Sequence, residues 1–470
     1  MSRIEDFEEE LPLSMKLANG GIGFGTPFLN YIVAAAITFF YHIKLGLNPY
    51  LISLGWVIFI LWNTVNDPLM GFISDKTKSN KYGRRIPYLR FGAPIYIIVF
   101  ILIWIPLVPI GSEILLFLYF VLMLFSFDTV FTMLTVVGYG LPGEMAVSSK
   151  ARGKLMQYGG IFNAFSHFLS FVIPIFLLTG DAQDINPYFV PSMIIIGILC
   201  GLIIFIGSFY VKENKFAQLE EPMSFVEGLK ATFSNRPYIL SSISAFIFWF
   251  GQVILATSVI YYLTFVLQVE GVMALIPVAI FFLMVFLFIP VYFFLMKKLG
   301  IKRSFILTLV VSGISFCSFF FLGWNYITAI IGLGILGACI SGYYLMPNVV
   351  FFDVVDYDEI KTGKRRETTY AGIGALFTKP AQTVAPAVFL LIIIAFGFNQ
   401  DSATQSVSAQ VGIVFAFTII PGILFFLAGI VMSFYKLDGP DWIKQKEKLR
   451  KIHDEKEANY LQHLKELNVI

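Results

Sequence analysis

Twelve separate apolar runs are the feature that most restricts what this chain can fold into. A helix needs about 20 mostly apolar residues to cross ~30 Å of hydrocarbon. The first six runs are Gly20–Tyr41, Tyr50–Ile73, Pro87–Val108, Ile114–Gly138, Leu155–Leu178 and Tyr188–Val211. The second six are Tyr238–Val266, Ala274–Met296, Ser304–Leu322, Tyr326–Val350, Tyr370–Phe396 and Gly412–Tyr435. Lipid offers no partner to a free amide or carbonyl, so an open sheet cannot span it. The runs are also too long for barrel strands. The expected fold class is all-α: a multi-pass membrane protein with twelve transmembrane helices. Composition agrees, at 57% hydrophobic and only 13% charged.

Charge placement gives the direction of each crossing. Nearly all of the 33 Lys and Arg fall in alternate gaps between runs, with Lys44 the clear exception. Cytoplasmic loops collect Lys and Arg and outer loops do not, so both chain ends are expected in the cytoplasm, in a cell membrane. The basic loops are short and explained by topology, which leaves no signal for nucleic acid. Cys200, Cys317 and Cys339 all lie inside apolar runs. That excludes a disulfide framework and offers no metal-ligand spacing. The acidic start lacks the layout of a cleaved signal, so the first span is expected to act as its own insertion signal.

The longest polar interruption within the membrane portion divides the spans six and six. The expected units are a first six-helix bundle over 1–211, an inter-bundle loop over 212–237 and a second bundle over 238–435. A cytoplasmic tail helix follows over 436–470. A faint repeat supports two halves, because a tight basic turn follows the second span (Gly71 to Arg85) and the eighth (Lys297 to Arg303). Paired bundles of this kind are common in secondary transporters. In the tail, Trp442, Leu449, Ile452, Leu461, Leu464 and Leu467 recur near helical spacing, the pattern of a helix leaning on the cytoplasmic face.

Charge inside hydrocarbon is costly, and each such group is a functional candidate. Four stand out: Asp67, Asp128, His167 and Lys379. Lys379 lies about 11 residues into its helix, or roughly 16 Å from the cytoplasmic end. That depth is close to mid-membrane, so Lys379 is expected to face an acidic partner or a watery cavity. Asn63 and Asp67, four apart, share one helix face. A lone carboxylate in a low-dielectric site holds a proton more readily, which favours H⁺ over Na⁺ as a coupling ion. Other polar groups on the spans are Asn30, Tyr31, Asn163, Gln252, Tyr261 and Tyr262, any of which could donate to a hydroxylated solute. Trp249 is a possible stacking platform. Helix–helix contact is the plainer role for each.

Three motifs together resemble a known family. They are Trp62-Asn63-Thr-Val-Asn66-Asp67-Pro68-Leu-Met-Gly71 running into Asp75 and Arg84-Arg85; Asn235-Arg236-Pro237-Tyr238; and Asp353-Val-Val-Asp356-Tyr357-Asp358-Glu359 followed by Thr362-Gly363-Lys364-Arg365-Arg366-Glu367. In register over most of the chain, they resemble the glycoside–pentoside–hexuronide:cation symporters, the melibiose-permease branch of the major facilitator superfamily. The resemblance implies two six-helix bundles that move a solute by alternating access, usually a sugar or glycoside, coupled to Na⁺ or H⁺. It implies no enzyme activity and no bound cofactor beyond that ion, and a monomer is expected.

Residue by residue, the chain departs from the family's pattern. Of the two helix-two aspartates only the second is present, as Asp67, with Asn63 at the first position. The acidic helix-one contact aligns with Gly25-Thr26-Pro27, the helix-four aspartate with Thr135, and the helix-five arginine with Gly160. The helix-eleven lysine matches at Lys379. Asp128 lies seven residues before Thr135, and His167 seven after Gly160. Seven residues is nearly two turns, so each keeps its helix face while rising ~10 Å outward. The acid and the base are therefore expected to form a polar pair lining the cavity; the plainer alternative is local hydrogen bonding. Asp67, Asn63 and Asp128 are the expected cation-coupling residues. Asp75 with Arg84 and Arg85, and Asp353, Asp356 and Asp358 with Arg365 and Arg366, are expected to latch the cytoplasmic side.

The expected function is secondary active transport of a small solute, with a sugar or glycoside first. Lysolipid carriers belong to the same wider branch. The missing charged sugar contacts, with 51 Phe in the chain, make an amphiphile the alternative cargo.

Overall fold

The protein is a computed structural model that describes residues 11–77, 83, 85–109, 111–146, 149–180, 184–212, 233–363, 367–449 and 451–452. Twelve helices in it are long and apolar enough to cross a membrane. In the first half they are α1 (Leu13–Phe39, extended by a π-helical turn at Phe40–Lys44), α2 (Pro49–Lys76), α3 (Ile86–Trp104), α4 (Glu113–Met145), α5 (Ser149–Leu178) and α6 (Phe189–Tyr210). In the second half they are α7 (Arg236–Tyr261, extended by a π-helical turn at Tyr262–Val266), α8 (Gly271–Leu299), α9 (Ile301–Leu322), α10 (Tyr326–Thr362), α11 (Glu367–Ala395) and α12 (Val407–Ser433). The described residues contain no β-sheet.

Local chemistry sets where several spans begin. Asn48, Asn235, Asn325 and Ser406 each accept a hydrogen bond from a backbone N–H in the first turn of α2, α7, α10 and α12. Pro49 follows directly in α2 and Pro237 one residue later in α7, both in the first turn, where the missing N–H costs nothing. Two spans run well past their apolar stretch. α1 starts at Leu13 rather than Gly20, and α10 continues to Thr362 rather than stopping at Val350. The polar end of α10 keeps its helix because its backbone bonds are internal, whatever the solvent. A short 3-10 turn at Ser341–Tyr344 interrupts α10 midway.

Twelve crossings put both chain ends on one face, the termini side; the opposite face is the far side. α1 packs on α4, α5 and α6, and α3 on α4 and α6. α7 packs on α11 and α12, and α9 on α10 and α12. These are two six-helix bundles, and they meet along α1–α7, α2–α11 and α5–α8. Large side chains such as Leu61, Phe321 and Val407 are exposed on the outside, as lipid-facing positions should be.

Small residues allow the closest crossings. A Cβ built on Gly313 of α9 would come 2.7 Å from the Gly422 carbonyl oxygen of α12. One built on Gly422 would come 2.6 Å from Cys317 Sγ. Two backbones touch there with no room for a side chain, as in small-residue membrane crossings. Gly313→Leu should lower the melting temperature of the detergent-purified protein by an amount equivalent to about 1–3 kcal/mol. Gly138→Ala in α4, where the added methyl meets nothing within 4 Å, should leave it within about 0.5 kcal/mol.

Candidate functional site

The site grows from two pairs of residues spaced by one helical turn. On α2, Asn63 and Asp67 face α11; on α11, Lys379 and Thr383 face back. The helices run antiparallel, so the pairs form two rungs. Asn63 Nδ2 donates to Thr383 Oγ1 at 2.9 Å, and Lys379 Nζ is ion-paired with Asp67. α4 adds a third wall through Asp128 and Thr132, again four apart. Thr132 Oγ1 donates to Asp67 at 3.0 Å, Lys379 donates to Thr132 at 3.3 Å, and Lys379 Nζ lies 3.9 Å from Asp128. Asn66 turns the other way from Asp67 and donates to Asp128, at 2.7 Å to the carboxylate and 3.1 Å to the backbone oxygen. One lysine from the second bundle is thus held between two aspartates of the first.

The charge balance of this cluster is uneven. With both carboxylates ionised, two negative charges face one ammonium, and one formal charge is left over. Lys379 and Asp67 side chains retain 15% and 19% exposure, so the cluster is not fully enclosed by packing. A residual charge at this depth is expensive, and one monovalent cation would neutralise it. The Asn63 Oδ1 and Asn66 Oδ1 atoms, both buried without a partner, are further oxygens close to the carboxylates.

His167 has different surroundings from those the sequence led us to expect. Its ring is met edge-on by Tyr31, with centroids 4.7 Å apart, and flanked by Phe171, Phe282 and Tyr344. Asp128 instead engages Asn66 and Lys379, so the acid–base pair does not form. α5 packs on α1 and α8, while Asp128 points at α2 and α11. Beside the aromatic box lies a narrow apolar pocket lined by Phe171, Leu255, Val259, Phe282 and Phe316 among others. Gln252 is its one amide, and the Gln252 Oε1 atom is buried without a partner.

The remaining candidates scatter. Tyr262 donates to the Gly323 carbonyl at 2.6 Å and stacks on Phe417, inside the second bundle. Tyr261 bonds His42 at the far side. Neither tyrosine faces the chamber, a correction to the sequence reading. Thr135 donates to the Phe131 carbonyl of its own helix. Asn30, Asn163 and Trp249 are half-buried on α1, α5 and α7. Of the expected latch, the Asp75 side chain and all of Arg84, Arg365 and Arg366 lie outside the described residues. Arg85 lies against Gly140 of α4. Asp353 is buried and ion-paired with Lys446 of the tail helix at 440–449, whose Trp442 packs on Tyr357. Asp356 and Asp358 stand on the same stretch of α10.

Asn66, Thr132 and Thr383 went unassigned in the sequence reading. Their signal was spacing: each is one residue or one turn from an ionisable group already chosen. Replacing Lys379 with Met leaves two carboxylates side by side. The loss of stability should be up to about 3 kcal/mol, below the figure for a fully buried pair because packing does not fully enclose the site. Adding Asp67→Asn should restore part of it in a double-mutant cycle read by thermal unfolding.

A model of the family described as MFS/sugar transport protein matches residues 18–439. The "Uncharacterized symporter YnaJ" of Bacillus subtilis (strain 168) is 26% identical over 446 residues, covering 92% of this chain and 92% of its own length. The "Sodium-dependent lysophosphatidylcholine symporter 1" of Gallus gallus is 23% identical over 502 residues, covering 97% of this chain and 93% of its own. The "Putative glycoside/cation symporter YagG" of Escherichia coli (strain K12) is 21% identical, covering 89% and 91%. The crystal structure of a D-xylose-proton symporter superposes with a TM-score of 0.63 at 16% identity, over 90% of this chain and 96% of that one. That likeness is one of fold.

Proposed function

This chain belongs to the MFS/sugar transport protein family, and on that premise we propose that it is a proton-coupled symporter whose ion site is the Asp67–Asp128–Lys379 cluster. The observation that carries the reading is the single lysine set between two carboxylates across the bundle interface. The protein is a membrane transporter, as its relatives are, and not an enzyme. A proton on Asp128 removes the leftover charge and frees Lys379 to commit to Asp67. Because Lys379 belongs to α11 and both acids to the first bundle, protonation changes the attraction that holds the bundles together. A binding event of one charge thereby biases the rocking equilibrium, which is all that coupling requires. A proton is favoured over Na⁺ because Lys379 already pairs with Asp67, which leaves Asp128 as the single acid to take the remaining charge.

Far-side contacts between bundles and the positive charge of the termini-side loops support a state open to the cytoplasm. α5 and α8 meet where His167, Phe168 and Phe171 pack on Phe282, and α1 and α7 meet at Phe39 and Tyr261.

For cargo, we favour a solute with a polar head and a substantial apolar part, first a glycoside with an alkyl or aryl aglycone. Carboxylate and guanidinium contacts to a sugar are absent at Thr26, Thr135 and Gly160, whereas the pocket beside His167 is almost wholly apolar. The second reading is a lysolipid, supported by that same pocket and by the lysophosphatidylcholine symporters among the relatives. Uptake by proteoliposomes under an imposed pH gradient tests both, with free hexose, an alkyl glycoside and a lysophospholipid offered in parallel. Accumulation of the free hexose alone would overturn the amphiphile reading. Asp128→Asn should abolish proton-driven accumulation while leaving solute exchange within about twofold of wild type; unchanged accumulation sinks the ion-site assignment.

A further inference from the structure

A fully buried histidine, distant from the ion cluster, stands at the far side. His42 lies in the π-helical turn that ends α1 and is fully buried. Its Nδ1 is 2.8 Å from the Tyr261 hydroxyl at the end of α7, so this hydrogen bond joins the two bundles. Phe39 and Phe389 pack on the Tyr261 ring, and Phe398 packs on both rings of the pair. The Nε2 edge faces the Gln400 side chain in the α11–α12 loop, which can take its N–H, and Nε2 and Gln400 Oε1 are both buried. Directly outside is a far-side vestibule lined by His42, Lys44, Gln400 and Asp401, with about 540 Å³ of empty space.

We propose that His42 is a proton-binding site of the far-side seal, filled from the vestibule, and that its protonation opens the seal. The neutral ring suits the closed state because one nitrogen accepts and the other donates. An imidazolium there would stand among phenyl rings with no carboxylate bonded to it. Among the described residues, α7 brings Tyr261, the outer turn of α2 the exposed Tyr50, and the vestibule rim Lys44 and Asp401, with Lys44 also donating to the Asp184 carbonyl. The rim charges offset each other, so the charge on the ring would go uncompensated. Once the bundles part, water solvates the ring, and it binds a proton as an ordinary histidine does, near pH 6.5. The sign follows. Closure is fully stable above that range and weakens as far-side pH falls through it. This inference rests on the rocking of the bundles and on no cargo.

Double electron–electron resonance on the full chain in nanodiscs tests the proposal. Spin labels go on Tyr50→Cys of α2 and Val407→Cys of α12, both exposed at the far side, with Cys200, Cys317 and Cys339 replaced by alanine. No solute is added, so a wrong cargo assignment cannot affect the result. Lowering the pH from about 8 to about 5 should raise the long-distance population severalfold. His42→Gln, which keeps an acceptor for Tyr261, should remove that response. The proposal is overturned if the parent shows no such rise, or if His42→Gln still shows it. Tyr261→Phe keeps the titrating ring but loses its partner, and it should move the midpoint to higher pH. An unmoved midpoint would also overturn the proposal, even if His42→Gln proved too unstable to purify.

Discussion

An ammonium group held between two carboxylates of the opposite bundle is the constraint on which the rest of this molecule depends. Hydrophobic burial cannot hold two bundles together inside lipid, where the surroundings are as apolar as the side chains. The bundles must therefore be joined by packing and by a few polar contacts, and a carrier needs those contacts to be breakable. The α2–α11 seam meets both demands. Its upper rung, Asn63 to Thr383, is neutral; its lower rung, Asp67 to Lys379, is ionic and not fully enclosed. Asp128 and Thr132 make the ionic rung three-sided. The strength of the seam then depends on how many protons or cations the cluster holds.

The chamber shows how a common scaffold is given a different task. The resemblance to the sugar-handling family would put its charged positions at Thr26, Thr135 and Gly160 here. What replaces them is aromatic: Tyr31, Phe171, Phe282 and Tyr344 around His167, with an apolar pocket alongside. Aromatic faces contribute area and edge-on geometry instead of charge. Such walls discriminate poorly among hydroxyl patterns and well among shapes and apolar areas.

Much of this was legible in the sequence, for identifiable reasons. Twelve spans follow from the length of the apolar runs, because lipid tolerates little else. The depth of Lys379 and its need for an acid follow from counting residues along a helix. That Asp128 and His167 stand within membrane-spanning helices also followed from the apolar runs around them. Their pairing did not, because a face says which way a side chain points and not which neighbour stands there. α2 packs on α4 beside Asp128, and its Asn66 takes the carboxylate that a reading by helix faces gave to His167. Tyr261 and Tyr262 illustrate a different limit. They sit at the junction of an α-helix and a π-helical turn, where the extra residue turns side chains away from the face that a regular period predicts. His42 was invisible for the same reason, since nothing in its neighbours marks a bundle-to-bundle contact.

The π-helical turns themselves are paired. Phe40–Lys44 ends α1 and Tyr262–Val266 ends α7, each closed by the same two backbone bonds, Leu45 to Phe40 and Leu47 to Tyr41 in one, Leu267 to Tyr262 and Val269 to Leu263 in the other. Counted from the start of each turn, His42 and Thr264 occupy equivalent places. One scaffold, duplicated, has been fitted with an ionisable ring in one copy and a hydroxyl in the other. The twofold likeness of the backbone therefore does not extend to acidity: the two turns are mechanical twins but chemically unequal, and the ring proposed to bind a proton stands in one of them.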